Sequence, residues 1–196
     1  MVNLLVKNLN NICLHSINMK WLIYGSEGWI GGMVTAILRS NRERVIEARA
    51  RADHEKDVEA EIQYTKPDRI LCFIGRTHGP GYSTIDYLEQ KGKLVENVRD
   101  NLYAPLVLAI LGKKYGIHVT YLGTGCIFTD RPGETNFNEE SLPNFFGSGY
   151  STVKGFTDRL MHFFFVFVCR LLDFIIIVIL LQKLPLMKKS VAFTTV

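Results

Sequence analysis

The chain has little net charge: 23 Lys and Arg against 19 Asp and Glu leave a formal +4 over 196 residues. A field that weak does not grip a phosphate backbone, so no nucleic-acid partner is expected. A disordered or low-complexity composition is also missing, because 47% of the residues are apolar and 21% charged, which suits one globular domain or little more. The four cysteines, Cys13, Cys72, Cys126 and Cys169, form no Cys-x-x-Cys pair. That leaves a zinc knuckle or dithiol redox motif unsupported, and no metal site is expected. Their apolar neighbours read as buried free thiols of a reducing compartment, which predicts a cytoplasmic location. A signal peptide is absent as well: Asn3, Asn8, Asn10, Asn11 and Asn18 interrupt any apolar core, and no small-residue cleavage site follows. Residues 1–18 read as a loose polar leader, with Met19 the candidate original start.

The averages hide an asymmetry. Residues 162–196 carry Arg170, Lys183, Lys188 and Lys189 against Asp173, a net +3, which leaves +1 for everything before them. The same stretch holds 6 of the 12 Phe and the run from Phe174 to Leu181.

Short apolar runs at Lys20–Tyr24, Arg44–Ala48, Arg69–Ile74 and His118–Leu122 predict buried strands. Between them, helical spacing appears over Ile30–Ser40, over Asp53–Tyr64 with Asp53 as an acidic N-cap, and over Leu94–Tyr115, where Pro105 is placed to kink it. Residues 130–148 read as loop and Ser148–Phe164 as a further helix. Strands alternating with helices predict an α/β fold, a Rossmann-like doubly wound parallel sheet with right-handed crossovers. Three of the four strands end in Gly, where a ligand beyond the carboxyl ends needs close backbone approach.

Three motifs carry chemistry. Gly25-Ser-Glu-Gly28-Trp-Ile-Gly31 follows a strand and opens a helix, a G-x-x-G-x-x-G variant of the dinucleotide fingerprint. Gly25 permits the tight turn, Gly28 lets backbone N–H groups approach a pyrophosphate, and Gly31 lets the helix pack close. Tyr150 and Lys154, four residues apart, share a helix face. An ammonium beside a phenol lowers the phenol's pKa and makes Tyr150 a usable general acid. Gly123-Thr124-Gly125-Cys126 closes the fourth strand, where Thr124 can bond a substrate carbonyl. By itself Cys126 reads as a buried inert thiol. The second strand ends Ala48-Arg49-Ala50-Arg51-Ala52-Asp53, without the acid that would take a ribose 2′-hydroxyl. An Arg fork suits a 2′-phosphate, so NADP is favoured over NAD, with Arg51 its first candidate.

Together these motifs resemble the extended short-chain dehydrogenase/reductase family. Gly123–Phe128, Pro143–Ser151, Phe73–Gly81 and Glu96–Asn101 are similar to the bifunctional nucleotide-rhamnose synthases (3,5-epimerase/4-reductases) and, more distantly, to dTDP-4-dehydrorhamnose reductases. The resemblance covers about residues 19–164. It implies NADPH-dependent reduction, with 3,5-epimerisation, of a UDP- or dTDP-linked 4-keto-6-deoxy sugar in L-rhamnose biosynthesis. Tyr150 would protonate the alkoxide, Lys154 hold the nicotinamide ribose, Thr124 bind the keto oxygen and Cys126 act as acid or base for epimerisation. Cofactor binding would fall to Gly25, Glu27, Gly28, Trp29, Ile30, Arg51, Gly75, Arg76, Asn101, Tyr150 and Lys154, and Asn101 matches the family's structural Asn. The oligomeric state stays open, with a homodimer as candidate.

Beyond Phe164 the family pattern stops, and the C-terminal lobe that grips the nucleotide sugar is not matched. Three readings compete for residues 165–196. One is a membrane span of about 19 residues, opposed by Arg170 and Asp173 at about 2.5–3.5 kcal/mol each. Another is a replacement strand over Phe174–Leu181. The third, which is favoured, is a frameshifted or truncated product, so that the sheet would be incomplete. Three functional readings follow: a reductase, a non-catalytic NADP-binding remnant, or a membrane-anchored scaffold. A membrane partner is not expected.

Overall fold

The computed structural model describes residues 18–130, 137–138 and 141–164 and the backbone of Phe167–Cys169. The leader, most of the tail, part of the loop over 130–148, and the run proposed as a strand or span over Phe174–Leu181 lie outside the described residues.

Strand β1 (Lys20–Tyr24) is followed by helix α1 (Trp29–Ser40), β2 (Arg44–Glu47), α2 (Glu55–Thr65) and β3 (Arg69–Cys72). After a 3₁₀ turn at Ile85–Tyr87 come α3 (Leu94–Val98), a π-helical turn (Arg99–Tyr103) and α4 (Ala104–Tyr115). The remaining elements are β4 (His118–Leu122), a 3₁₀ turn (Gly125–Ile127), α5 (Gly149–His162) and β5 (Phe167–Cys169). The five strands are parallel in the order β2-β1-β3-β4-β5. Thus β5 adds a fifth strand just past the limit of the family resemblance, with Tyr121 opposite Val168.

Alternation along the strands divides the core between the two faces of the sheet. Trp21, Ile23 and Leu71 pack with Val34 and Leu38 of α1. Leu22, Ile70 and Tyr121 pack with Val58 of α2, Leu108 of α4 and Met161 of α5. Each fully buried aliphatic side chain stabilises the fold by about 1.5–3 kcal/mol. Helices therefore cover both faces, as the strand–helix alternation predicts.

Two local expectations are corrected. Asp53 does not cap α2: His54 holds the N-cap position with no side-chain cap bond, because the Asp53 carboxylate is drawn to Arg51. The helical stretch over Leu94–Tyr115 also does not simply kink at Pro105, which sits in the first turn of α4. A π turn precedes it instead. Proline has no N–H for the Asn101 carbonyl four residues back, and the Thr157 hydroxyl of α5 donates to that carbonyl at 2.8 Å. The substitution ties α5 to the π turn.

Candidate active site

The site gathers at the carboxyl ends of β1, β3 and β4. After β1 the chain turns at Gly25, whose φ of +84° a side chain rarely adopts. A Cβ on Gly31 would sit inside the Gly25 carbonyl. These two glycines let α1 start directly beneath the turn. Gly28 is the α1 N-cap in extended conformation, no side chain caps the first turn, and that turn holds no acid. The unsatisfied N–H groups and the positive helix end are left for an anion. Glu27 and Trp29 are exposed and Ile30 is half-buried, packed against the α1 side of the core.

A cleft of about 470 Å³ opens beside this cradle, lined by Gly25, Gly28, Arg51, Gly75, Arg76 and Asp100 among others. Its size falls within the usual range for ligand pockets. Arg76 Nε donates to Asp100 at 2.6 Å. Asn101 is fully buried: its Oδ1 accepts from the Arg76 N–H at 2.9 Å, and its Nδ2 donates to the Arg76 carbonyl at 3.0 Å and to Asn97 Oδ1 at 2.9 Å. It reaches the cleft through the loop it holds. A Cβ on Gly75 would lie 3.2 Å from Asn101 Oδ1 and 4.0 Å from Lys154 Nζ. The cleft and α5 therefore meet at Gly75.

Helix α5 presents Tyr150 and Lys154 from the buried side, at 5% and 4% exposure. Its first turn is capped three times. Ser148 Oγ accepts from Ser151 at 3.0 Å, and the two Glu89 carboxylate oxygens accept from Gly149 and Tyr150, each at 2.8 Å. Tyr150 packs with Tyr87 and Leu88 of the loop that carries Glu89.

One electrostatic expectation is corrected. Lys154 does not depress the Tyr150 phenol. Its ammonium donates to the Tyr121 hydroxyl and lies 4.6 Å from the centre of that ring. Burial pushes Tyr150 up, the Thr124 hydroxyl pulls it back in part, and Cys126 adds to the rise. Burial also lowers Lys154 to about 8, against small opposing contributions from Cys72, Asp158 and Cys126.

Thr124 caps the 3₁₀ turn after β4, accepting from the Cys126 N–H at 3.3 Å. Of the cysteines, Cys72 is buried, and burial pushes its thiol up to about 12. Cys126 is exposed beside Thr124, which corrects its reading as a buried thiol: the 3₁₀ turn carries it off the strand before the core closes over it. The sequence reading missed Tyr121, Glu89 and Asp53. Tyr121 reads as an ordinary strand aromatic, and Glu89 lies some 60 residues from the helix it caps.

The Tyr-x-x-x-Lys helix set against a glycine cradle on a doubly wound sheet matches the resemblance to extended short-chain dehydrogenases/reductases, and the chain is similar to nucleotide-sugar enzymes of that type. No family model matches it. The UDP-rhamnose synthase of Acanthamoeba polyphaga mimivirus is 65% identical over 150 residues, 74% of this chain and 52% of that protein. Its crystal structure superposes with a TM-score of 0.73 at 62% identity, over 78% of this chain and 55% of that one. The bifunctional dTDP-4-dehydrorhamnose 3,5-epimerase/reductase of Arabidopsis thaliana is 30% identical over 151 residues, 74% of this chain and 48% of the plant protein. A Bacillus anthracis dTDP-4-dehydrorhamnose reductase in complex with NADP shares the fold, with a TM-score of 0.64 at 16% identity, over 78% of this chain and 53% of that one. The chain thus spans about half the length of the curated relatives it matches.

Proposed function

We propose that the chain binds NADP(H) and reduces a UDP- or dTDP-linked 4-keto-6-deoxy sugar on the route to L-rhamnose, with epimerisation at C3 and C5. The observation that carries the reading is the buried Lys154 amine, on the helix face it shares with Tyr150, reaching Gly75 at the edge of the cleft. The residues present fit a dinucleotide. The α1 cradle has no room for a side chain at Gly31, and its helix end is free of acids and caps. Arg51 lines the same cleft.

When bound, NADPH supplies the hydride for C4. Tyr150 holds the proton, at its phenolic oxygen, that the C4 alkoxide takes up. Its raised pKa keeps it protonated until that oxyanion forms. Thr124, next to Tyr150, orients the keto oxygen by a hydrogen bond. Lys154, whose ammonium is held by Tyr121, would hold the nicotinamide ribose from beside Gly75. Cys126, exposed at the rim, is placed to add or remove the ring proton in epimerisation.

The test is NADPH oxidation, followed at 340 nm, with UDP- and dTDP-4-keto-6-deoxyglucose. Turnover that disappears in Tyr150→Phe is the expected result. Calorimetric NADPH binding without turnover of either sugar would restrict the chain to cofactor binding and refute the reductase reading.

A further inference from the structure

We propose that Asp53 determines cofactor specificity by occupying the Arg51 guanidinium where a ribose 2′-phosphate would bind, so that the cleft discriminates less strongly for NADPH than Arg51 alone would. This rests on the reading of the cleft as an NADP(H) site.

Arg51 and Asp53 stand two residues apart in the loop from β2 to α2, and both line the cleft. Ala52 between them is buried in the core, which fixes the loop and leaves its neighbours facing the cavity. Arg51 Nε donates to Asp53 Oδ1 and Nη2 to Oδ2, each at 3.1 Å. This is the two-pronged geometry a guanidinium offers to a phosphate. The carboxylate thus stands in for two phosphate oxygens.

The partners are not equally held. The Arg51 side chain is 59% exposed and that of Asp53 only 13%. A mostly exposed pair holds weakly, so an entering phosphate can draw Arg51 away while Asp53 stays. Asp53 then keeps a counter-charge, because Arg99 Nε lies 3.8 Å away. Although burial opposes ionisation, the Arg51 hydrogen bonds outweigh it and hold the Asp53 carboxyl below its usual range, so it is ionised at neutral pH.

The two cofactors meet opposite consequences. A 2′-phosphate brings negative charge beside a carboxylate that does not leave. A free 2′-hydroxyl finds in Asp53 an acceptor. Glu47, the last residue of β2, is engaged by Ser26 and Arg39, and the acid that lines the cleft is Asp53, six residues further on.

The experiment is calorimetric titration of NADPH and NADH into the full chain. Five proteins are compared: wild type, Asp53→Asn, Asp53→Glu, Arg51→Gln, and Asp53→Asn combined with Arg51→Gln. In Asp53→Asn the ratio of NADPH to NADH affinity is expected to rise about tenfold, with tighter NADPH and weaker NADH. Asp53→Glu keeps the charge and holds the wild-type ratio, and its NADH binding verifies the fold. In the Arg51→Gln background the gain shrinks to about twofold or less, because the fork being competed for is gone. A ratio unchanged or lowered in Asp53→Asn, with binding intact, overturns the proposal and leaves the cleft reading standing. A gain equally large without Arg51 also overturns it. A wild-type chain that binds neither dinucleotide overturns the cleft reading, and this proposal with it.

Discussion

Lys154 donates its ammonium hydrogen bond to Tyr121, on the strand beneath its helix, and not to Tyr150 four residues before it on the same helix. The ammonium also lies over the Tyr121 ring. A charge this deeply buried depends on such partners, and removing the hydroxyl leaves only the ring face. In Tyr121→Phe the Lys154 pKa is therefore expected to fall below its wild-type position of about 8. The shift can be read by NMR titration of lysine labelled at Cε. An unchanged Lys154 resonance would show that the hydroxyl contributes nothing.

Lys154 also predicts a pH dependence of stability. Its pKa is about 8 when folded, against an ordinary value of 10.5. Folding therefore disfavours the proton wherever the unfolded chain still holds it. The penalty is full below about pH 8, lifts as pH rises toward 10.5, and vanishes above. Lys154→Met is expected to stabilise the fold at pH 7 by on the order of 2–3 kcal/mol. That advantage should shrink between pH 8 and 10, as measured by urea denaturation at each pH. A constant difference across the range would contradict the assignment.

Gly31→Ala puts a methyl group into the Gly25 carbonyl. The neighbour is backbone and cannot rotate away, so α1 must shift. A cost of about 3 kcal/mol in stability is expected, together with loss of dinucleotide binding in the same preparation. Thermal denaturation and calorimetry check the two effects separately. Gly81→Ala, where no atom lies within 4 Å of the added carbon, is the comparison: with φ at +80° it carries backbone strain alone.

Glu89→Ala removes both acceptors from the first turn of α5. The expected loss is about 1 kcal/mol. It should be accompanied by faster hydrogen exchange at Gly149 and Tyr150, while Ser151, held by Ser148, changes little. Uniform acceleration along α5 would mean that Glu89 supports the whole helix and not its first turn.

Much of the fold was legible because its signals are local. The strands at Lys20–Tyr24 and His118–Leu122 coincide with their apolar runs, and the glycines before α1 announce its start. Strand β3 ends at Cys72, short of the apolar run to Ile74: the Phe73 N–H makes a last bond to the Tyr24 carbonyl of β1 at 2.9 Å, and Phe73 and Ile74 line the cleft. The π turn at Arg99–Tyr103 left the helical period of its stretch intact and so left no mark. The site was half legible. Tyr150, Lys154 and Thr124 follow from spacing and order along the chain. That Lys154 turns to Tyr121, Glu89 to α5 and Asp53 to Arg51 depends on distances set by packing, which no local pattern encodes.

The clasp of Asn101 on the Arg76 backbone, joined to Thr157 through the Asn101 carbonyl, ties a loop, a π turn and α5 into one hydrogen-bonded chain. The Arg76 amide sits in a loop whose neighbours Gly75 and Thr77 are exposed, yet it cannot open without undoing that chain. Its exchange with solvent should therefore proceed at the pace of the core and not of the loop. This one backbone proton would report, from outside, whether α5 is docked.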